Sequence, residues 1–340
     1  MASVQQMATV TTLDAAAADT GTAAPVLEPA TQKFVDALIA AGAPPIYTLT
    51  PGAARKVLSD AQAGPDRGPP TDIEERKIPV GPKGWTRIHI VRPQGIEERL
   101  PVLMYLHGGG WILGGFDTHE RLVREIACGT RAAVVFVDYS PAPEHQYPVQ
   151  IEEDYAATKY VAEHADEFQI DPARLAIAGD SVGGNMVAAV SLLAKERGGP
   201  SIAFQVMLYP VTNYGFNSGS YSEFENGPWL TKAAMKWFWN AYLPNPDKAT
   251  QRDLHLSPLQ ASVDQLQGLP PALVITDAND VLRDEGEAYA YKLAEAGVTV
   301  TSVRYNGTIH DFLMLNALAG TPAVRGAIGQ VNAALRGAFA

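Results

Sequence analysis

Apolar and polar positions fall into two regimes along this chain. After Pro101, short continuous apolar runs alternate with helical stretches. The run Val102-Leu103-Met104-Tyr105-Leu106 precedes a helix around 118–130, and 132–137 precedes a helix near 149–165. Leu175-Ala176-Ile177-Ala178 leads into a helix reaching about Lys195, and further runs cover 204–209, 272–276 and 299–304. Strands apolar at every position are buried on both faces, and helices between them make their sheet largely parallel. Before Pro101 the pattern differs. Phe34, Val35, Leu38 and Ile39 recur at i, i+1, i+4 and i+5 before Gly42, which predicts a helix and its stop. A second short helix is predicted from Pro51 to Ala61, a Pro/Gly-rich linker from Gly64 to Pro70, and strands over 72–80 and 85–92. No internal repeat interrupts this order.

One stretch breaks the alternation. From Tyr214 to Tyr242 lie nine of the chain's 28 aromatics, too many for an ordinary strand-to-strand connection. Within it Met235, Phe238, Trp239 and Tyr242 follow i, i+3, i+4, i+7 spacing and line one helical face. An insertion over about 211–256, directly after a sheet strand, is expected to form an apolar cap over the strand ends. Residues 28–66 are expected to be its other half, on a catalytic domain spanning 67–340.

Composition narrows the function. The 340 residues are 46% hydrophobic and 19% charged, as in a globular protein with ample core. A net charge of −11 argues against a nucleic-acid partner, since phosphate binding needs a basic excess. Cys128 is the only cysteine, so no intrachain disulfide forms, and its setting at a helix end suits a buried structural thiol. Residues 1–27 carry no Lys or Arg, and Gln5, Gln6, Asp14 and Asp19 interrupt any signal-like apolar stretch. They read as a disordered tail. No apolar run approaches the roughly 18 residues of a membrane span, so no membrane partner is expected and the default location is cytoplasmic.

The chemistry lies at strand ends. Gly179-Asp180-Ser181-Val182-Gly183 places a serine between a predicted strand and helix, with glycines two residues away on each side. A sharp strand-to-helix turn needs those bare positions, because a Cβ there clashes with crowded backbone. Upstream, another strand ends in His107-Gly108-Gly109-Gly110-Trp111, a loop able to present amide hydrogens to a developing oxyanion. Of seven histidines, only His310 follows a late strand and lies C-terminal to every other partner. It is reached after the strand ending near Arg304 and a loop over 305–309. His89 is expected to be exposed, His107 to brace the glycine loop, and His119 to lie on a helix. The acid that orients His310 is expected to be Asp280, between strand-end Asp277 and helix-start Asp284.

With these motifs in place, the chain resembles the hormone-sensitive-lipase-like carboxylesterases, family IV of the α/β-hydrolases. The resemblance runs from about residue 28 to the C-terminus. It rests on His107 to Trp111, Gly179 to Gly184, Asp280-Val281-Leu282-Arg283-Asp284-Glu285-Gly286 and His310-Asp311-Phe312. It implies an eight-stranded, mostly parallel sheet flanked by helices under a helical cap. It further implies Ser181 as nucleophile, His310 as base and Asp280 as acid, with N–H groups of Gly108, Gly109, Gly110 and Val182 as the oxyanion hole. Family members are often dimers, so a homodimer is an option here. The chain departs from the family pattern at Val182 (usually Ala), Val281 (usually Pro) and Asp311 (usually Gly). It also has Ser140-Pro141 where Arg-Leu is common.

The expected reaction is hydrolysis of a small-molecule ester through an acyl-enzyme, with neither metal nor organic cofactor. The aromatic cap, with Trp111, Tyr209, Trp229, Trp237 and Phe238 as expected substrate contacts, suits short to medium acyl chains or aromatic esters. An amidase or deacetylase would use the same residues. A non-catalytic small-molecule receptor, as in the gibberellin receptors that resemble this family, would lack the histidine that is present here. A prolyl-oligopeptidase-type peptidase lacks room for its propeller before residue 70.

Overall fold

The computed structural model describes residues 25–65, 67–246 and 253–340. Most of the expected 1–27 tail lies outside the described residues, as do 247–252 of the expected insertion. Two helices come first, α1 (Pro29–Ala41) and α2 (Pro51–Gln62). Each has proline in its first turn, where the missing N–H costs nothing, and α1 stops at Gly42 in the left-handed conformation, φ 61°. β1 (Thr71–Ile78) and β2 (Thr86–Pro93) pair antiparallel at one edge of the sheet.

The alternating section follows as β3 (Leu100–Leu106), α3 (Phe116–Thr130), β4 (Ala133–Asp138) and α4 (Val149–Glu163). Next come β5 (Ile170–Asp180), α5 (Val182–Glu196) and β6 (Phe204–Leu208). The insertion after β6 contains α6 (Gly219–Glu223) and α7 (Lys232–Tyr242). The chain closes with β7 (Ala272–Asn279), α8 (Arg283–Glu295), β8 (Val300–Ile309) and α9 (Pro322–Ala338).

The eight strands form one sheet in the order β1-β2-β4-β3-β5-β6-β7-β8. β2 runs antiparallel to β1 and β4, and the other pairs are parallel. All seven residues of β3 are buried, so side chains on both faces of the sheet are covered. α5 is buried continuously from Val182 to Ala194, which explains why its sequence is apolar on every side. This is the α/β-hydrolase fold expected from the sequence.

Strand order reverses between β3 and β5, whose connections leave in opposite directions. Such a switch point opens a crevice at the carboxyl ends of the strands. Leu106 is paired with Gly179 there, so the glycine loop after β3 and the serine turn after β5 emerge side by side. Likewise Asn279 pairs with Ile309, so Asp280 and His310 leave neighbouring strands together. β8 runs through the expected 305–309 loop. The register slips between Asp277 and Asn279, and Asn306-Gly307-Thr308 form the excess length that bulges from the ladder. The loop signal was therefore a bulge inside a strand.

Candidate active site

Ser181 sits at φ 55° and ψ −121° between β5 and α5, a backbone conformation strained for an L residue. The flanking glycines show why the turn is possible. A Cβ on Gly179 would lie 2.5 Å from the Gly183 backbone, and one on Gly183 would lie 2.0 Å from the Leu106 oxygen. The turn is pinned by hydrogen bonds from Ser181 N to Leu208 O (2.8 Å) and from Val211 N to Ser181 O (3.1 Å).

His310 faces this serine, its Nε2 2.9 Å from Ser181 Oγ. Its Nδ1 lies 2.7 Å from Asp280 Oδ2. A carboxylate only accepts, so Nδ1 carries the proton and Nε2 of the neutral ring accepts from Ser181. The other oxygen of Asp280 accepts from Leu282 N at 3.0 Å, which fixes the carboxylate. Burial disfavours the His310 imidazolium, but Asp280 and Asp311 together outweigh burial and hold its pKa above the ordinary value of 6.5. Asp277 is buried beside this pair, and burial with the Asp280 charge pushes its pKa well above the usual carboxylate range. Asp277, Asp280 and His310 have side-chain N and O atoms within 4.8 Å of one another. Two of the three are already paired with each other.

The glycine loop divides. Gly108 N donates to Asp180 Oδ1 at 3.1 Å, so the expectation that it joins an oxyanion hole is corrected. Its N–H is already spent on a buried carboxylate. The N–H groups of Gly109 and Gly110 have no backbone acceptor among the described residues. That of Val182 belongs to the donors a helix leaves free at its start. Gly109 and Gly110 have φ of 107° and 63°, and a Cβ on Gly110 would meet the Phe238 ring at 2.0 Å. Phe238 is thereby packed onto the loop itself.

The loop's support was only partly foreseen. His107 Nδ1 lies 2.8 Å from Gly108 O, and its ring stacks on Tyr139 with centroids 4.1 Å apart. Burial, then the nearby His119, pulls its pKa down to about 4, so it stays neutral. His119 was expected only to occupy a helix. Its Nε2 lies 3.3 Å from Asp180 Oδ2 and its Nδ1 3.2 Å from Gly115 O, so both nitrogens face acceptors. Burial opposes the charged ring, yet Asp180 raises its pKa above the usual value. Asp180 also accepts from Tyr105 OH at 2.8 Å. A buried His119–Asp180 pair thus stands directly behind the glycine loop. The clue was Asp180 itself, a carboxylate between two apolar elements that required a partner.

The expected substrate contacts diverge. Tyr209 meets His310 edge-on with ring centroids 5.0 Å apart. Trp237 is half-buried beside Phe238, at 5.2 Å between centroids. Trp229 is 2% exposed, and its Nε1 donates to Asp311 Oδ2 at 3.0 Å. Trp111 stacks parallel on Tyr242 at 4.0 Å and leans on Trp239 at 4.5 Å, so its ring binds the loop to α7. His89, expected exposed, stacks on Phe116 at 4.2 Å. The Cys128 thiol is half-buried with its pKa raised by burial, and faces Pro70 O at 3.6 Å.

Two further residues hold the His310 loop. Arg121 donates to the carbonyls of Leu313 and Met314, and Gln62 Nε2 donates to Met314 O at 2.7 Å. Arg55 ties α2 to the site, with Nε donating to Ile112 O at 2.7 Å and its two terminal nitrogens gripping Glu144. No helix among the described residues is long and apolar enough to cross a membrane.

Known esterases resemble this chain in sequence and fold. The profile of the alpha/beta hydrolase fold family matches residues 103–314. Carboxylesterase NlhH of Mycobacterium tuberculosis is 38% identical over 321 residues, covering 93% of this chain and 98% of its own. Carboxylic ester hydrolase LipN of the same organism is 41% identical over 271 residues, 78% of this chain and 70% of its own. The crystal structure of a thermostable esterase from Pseudomonas putida superposes with a TM-score of 0.90 at 48% identity, covering 94% of this chain and 99% of that one. The chain therefore belongs to the hormone-sensitive-lipase-like, family IV carboxylesterases of the α/β-hydrolase superfamily.

Proposed function

We propose that this carboxylesterase works through an acyl-enzyme on Ser181. The supporting observation is the unbroken hydrogen-bonded line from Asp280 Oδ2 to His310 Nδ1 (2.7 Å) and from His310 Nε2 to Ser181 Oγ (2.9 Å). His310 takes the Ser181 proton as Oγ attacks the ester carbonyl, and Asp280 stabilises the imidazolium that forms. The oxyanion is received by N–H groups of Gly109, Gly110 and Val182, each donor of this kind being worth roughly 100- to 1,000-fold in rate. His310 then gives its proton to the leaving alcohol, and a water activated by the same nitrogen releases the acid.

Residues 28–66 and the insertion act together as a cap. Phe34 of α1 meets Trp229 of the insertion at 5.5 Å, and Phe238 lies on the oxyanion loop. An apolar lid set this close to the serine favours short to medium acyl chains or aromatic esters. Ser181→Ala is expected to abolish p-nitrophenyl ester turnover with an unchanged circular dichroism spectrum. Turnover retained in that variant would overturn the assignment.

A further inference from the structure

Asp311 directly follows His310 in a conformation that an aspartate adopts at a cost. Its φ is 66°, in the left-handed region natural to glycine. Its carbonyl accepts from Met314 N and Leu315 N, both at 2.9 Å, so the backbone is locked. The side chain is buried, and Oδ2 accepts from Trp229 Nε1 at 3.0 Å. Oδ1 has no hydrogen-bond partner and lies 3.4 Å from His310 Nε2. Among the described residues no Lys or Arg pairs with this carboxylate, and His310 is its ion-pair partner when protonated.

The position of Oδ1 has a consequence for substrates, given the Ser181 mechanism proposed above. His310 Nε2 must reach the leaving oxygen within about 3 Å to hand over its proton. A carboxylate oxygen 3.4 Å from the same nitrogen, though itself buried, therefore lies within several ångströms of the leaving oxygen and acts on it through space. We infer that Asp311 is a specificity-determining charge filter, which disfavours esters whose alcohol carries a carboxylate and favours neutral or cationic ones. A glycine at this position would satisfy the backbone without strain but would place no charge there. Like charges a few ångströms apart in a partly desolvated site correspond to about 10- to 100-fold discrimination.

The test compares three acetate esters: that of choline, its uncharged tert-butyl isostere, and that of a hydroxy-carboxylate. They are assayed with the wild-type chain, Asp311→Asn and Asp311→Gly. Asparagine keeps an acceptor for Trp229 and tolerates the left-handed backbone, while glycine removes the strain, so one of the two folds even if the other is weakened. Changes in His310 basicity affect all three esters alike and cancel in the kcat/KM ratios. The anionic-to-neutral ratio is expected to rise about 10- to 100-fold in both variants, and the cationic-to-neutral ratio to fall. Variants that turn over the neutral ester with both ratios unchanged would overturn the filter. Turnover of these esters that persists in Ser181→Ala would overturn the Ser181 mechanism, and the filter with it.

Discussion

At the scale of single residues, the candidate site is a set of side chains whose charges are set by their neighbours. As the proposed base, His310 acts only when neutral, so activity is expected to rise with pH as its proton is lost. Burial opposes its charged form, and the Asp280 and Asp311 carboxylates more than offset burial, so that proton is held past the ordinary value of 6.5. The acid limb of kcat/KM against pH is therefore expected above 6.5, and in Asp311→Asn the limb is expected to move toward lower pH. A pH-rate profile on a neutral ester checks both, and a limb at or below 6.5 in the wild-type chain would count against this electrostatic picture. Ser181, His310 and Asp280 were legible because each stands where a strand ends, in the chain order the chemistry needs. Gly108 was misread because a glycine's N–H shows no sign in the sequence of where it will be spent. His119 and Asp180 are 61 positions apart, and only the fold, which sets the first turn of α3 against the end of β5, brings them to 3.3 Å.

At the scale of elements, uninterrupted apolar runs revealed the parallel strands, because burial on both faces leaves no polar positions. β8 was the exception. Its bulge carries Asn306 and Gly307, residues that signal a turn, while the ladder resumes at Ile309 beside Asn279. α8 and α9 drew no reading from the hydrophobic pattern. α9 mixes Ala, Gly and single charges, so its buried stripe of Val324, Ile328, Val331 and Leu335 stands out weakly. The tight crossing of β3, β5 and α5 predicts an asymmetry between two glycines. Gly183→Ala would press a Cβ to 2.0 Å from the Leu106 oxygen, and backbone cannot step aside as a flexible side chain can. It is expected to cost about 3 kcal/mol. Gly329→Ala, in α9 with open space around it, is expected to stabilise by about 0.5 to 1 kcal/mol. Urea unfolding of the two variants reads both values.

At the scale of the whole molecule, the sheet brings together four loops from distant parts of the sequence. The switch point between β3 and β5 sets the glycine loop against Ser181, and the paired ends of β7 and β8 deliver Asp280 and His310. Segments outside the sheet then close the site, through Arg55 on the Ile112 carbonyl, Trp229 on Asp311 and Phe238 on Gly110. The aromatic density of the insertion was visible in the sequence, but the partner of each ring was not. Trp111 turned out to bind loop to insertion, and Trp229 to hold a carboxylate beside the base.

The proposed reaction passes through a covalent acyl-enzyme on Ser181. It is tested most directly by mixing the protein with p-nitrophenyl butyrate, quenching with acid during turnover and measuring the intact mass, followed by peptide mapping. The predicted result is one butyryl group per chain, located on Ser181 and absent from Ser181→Ala. Full ester turnover with the acyl group on another residue would rule out Ser181 as the nucleophile.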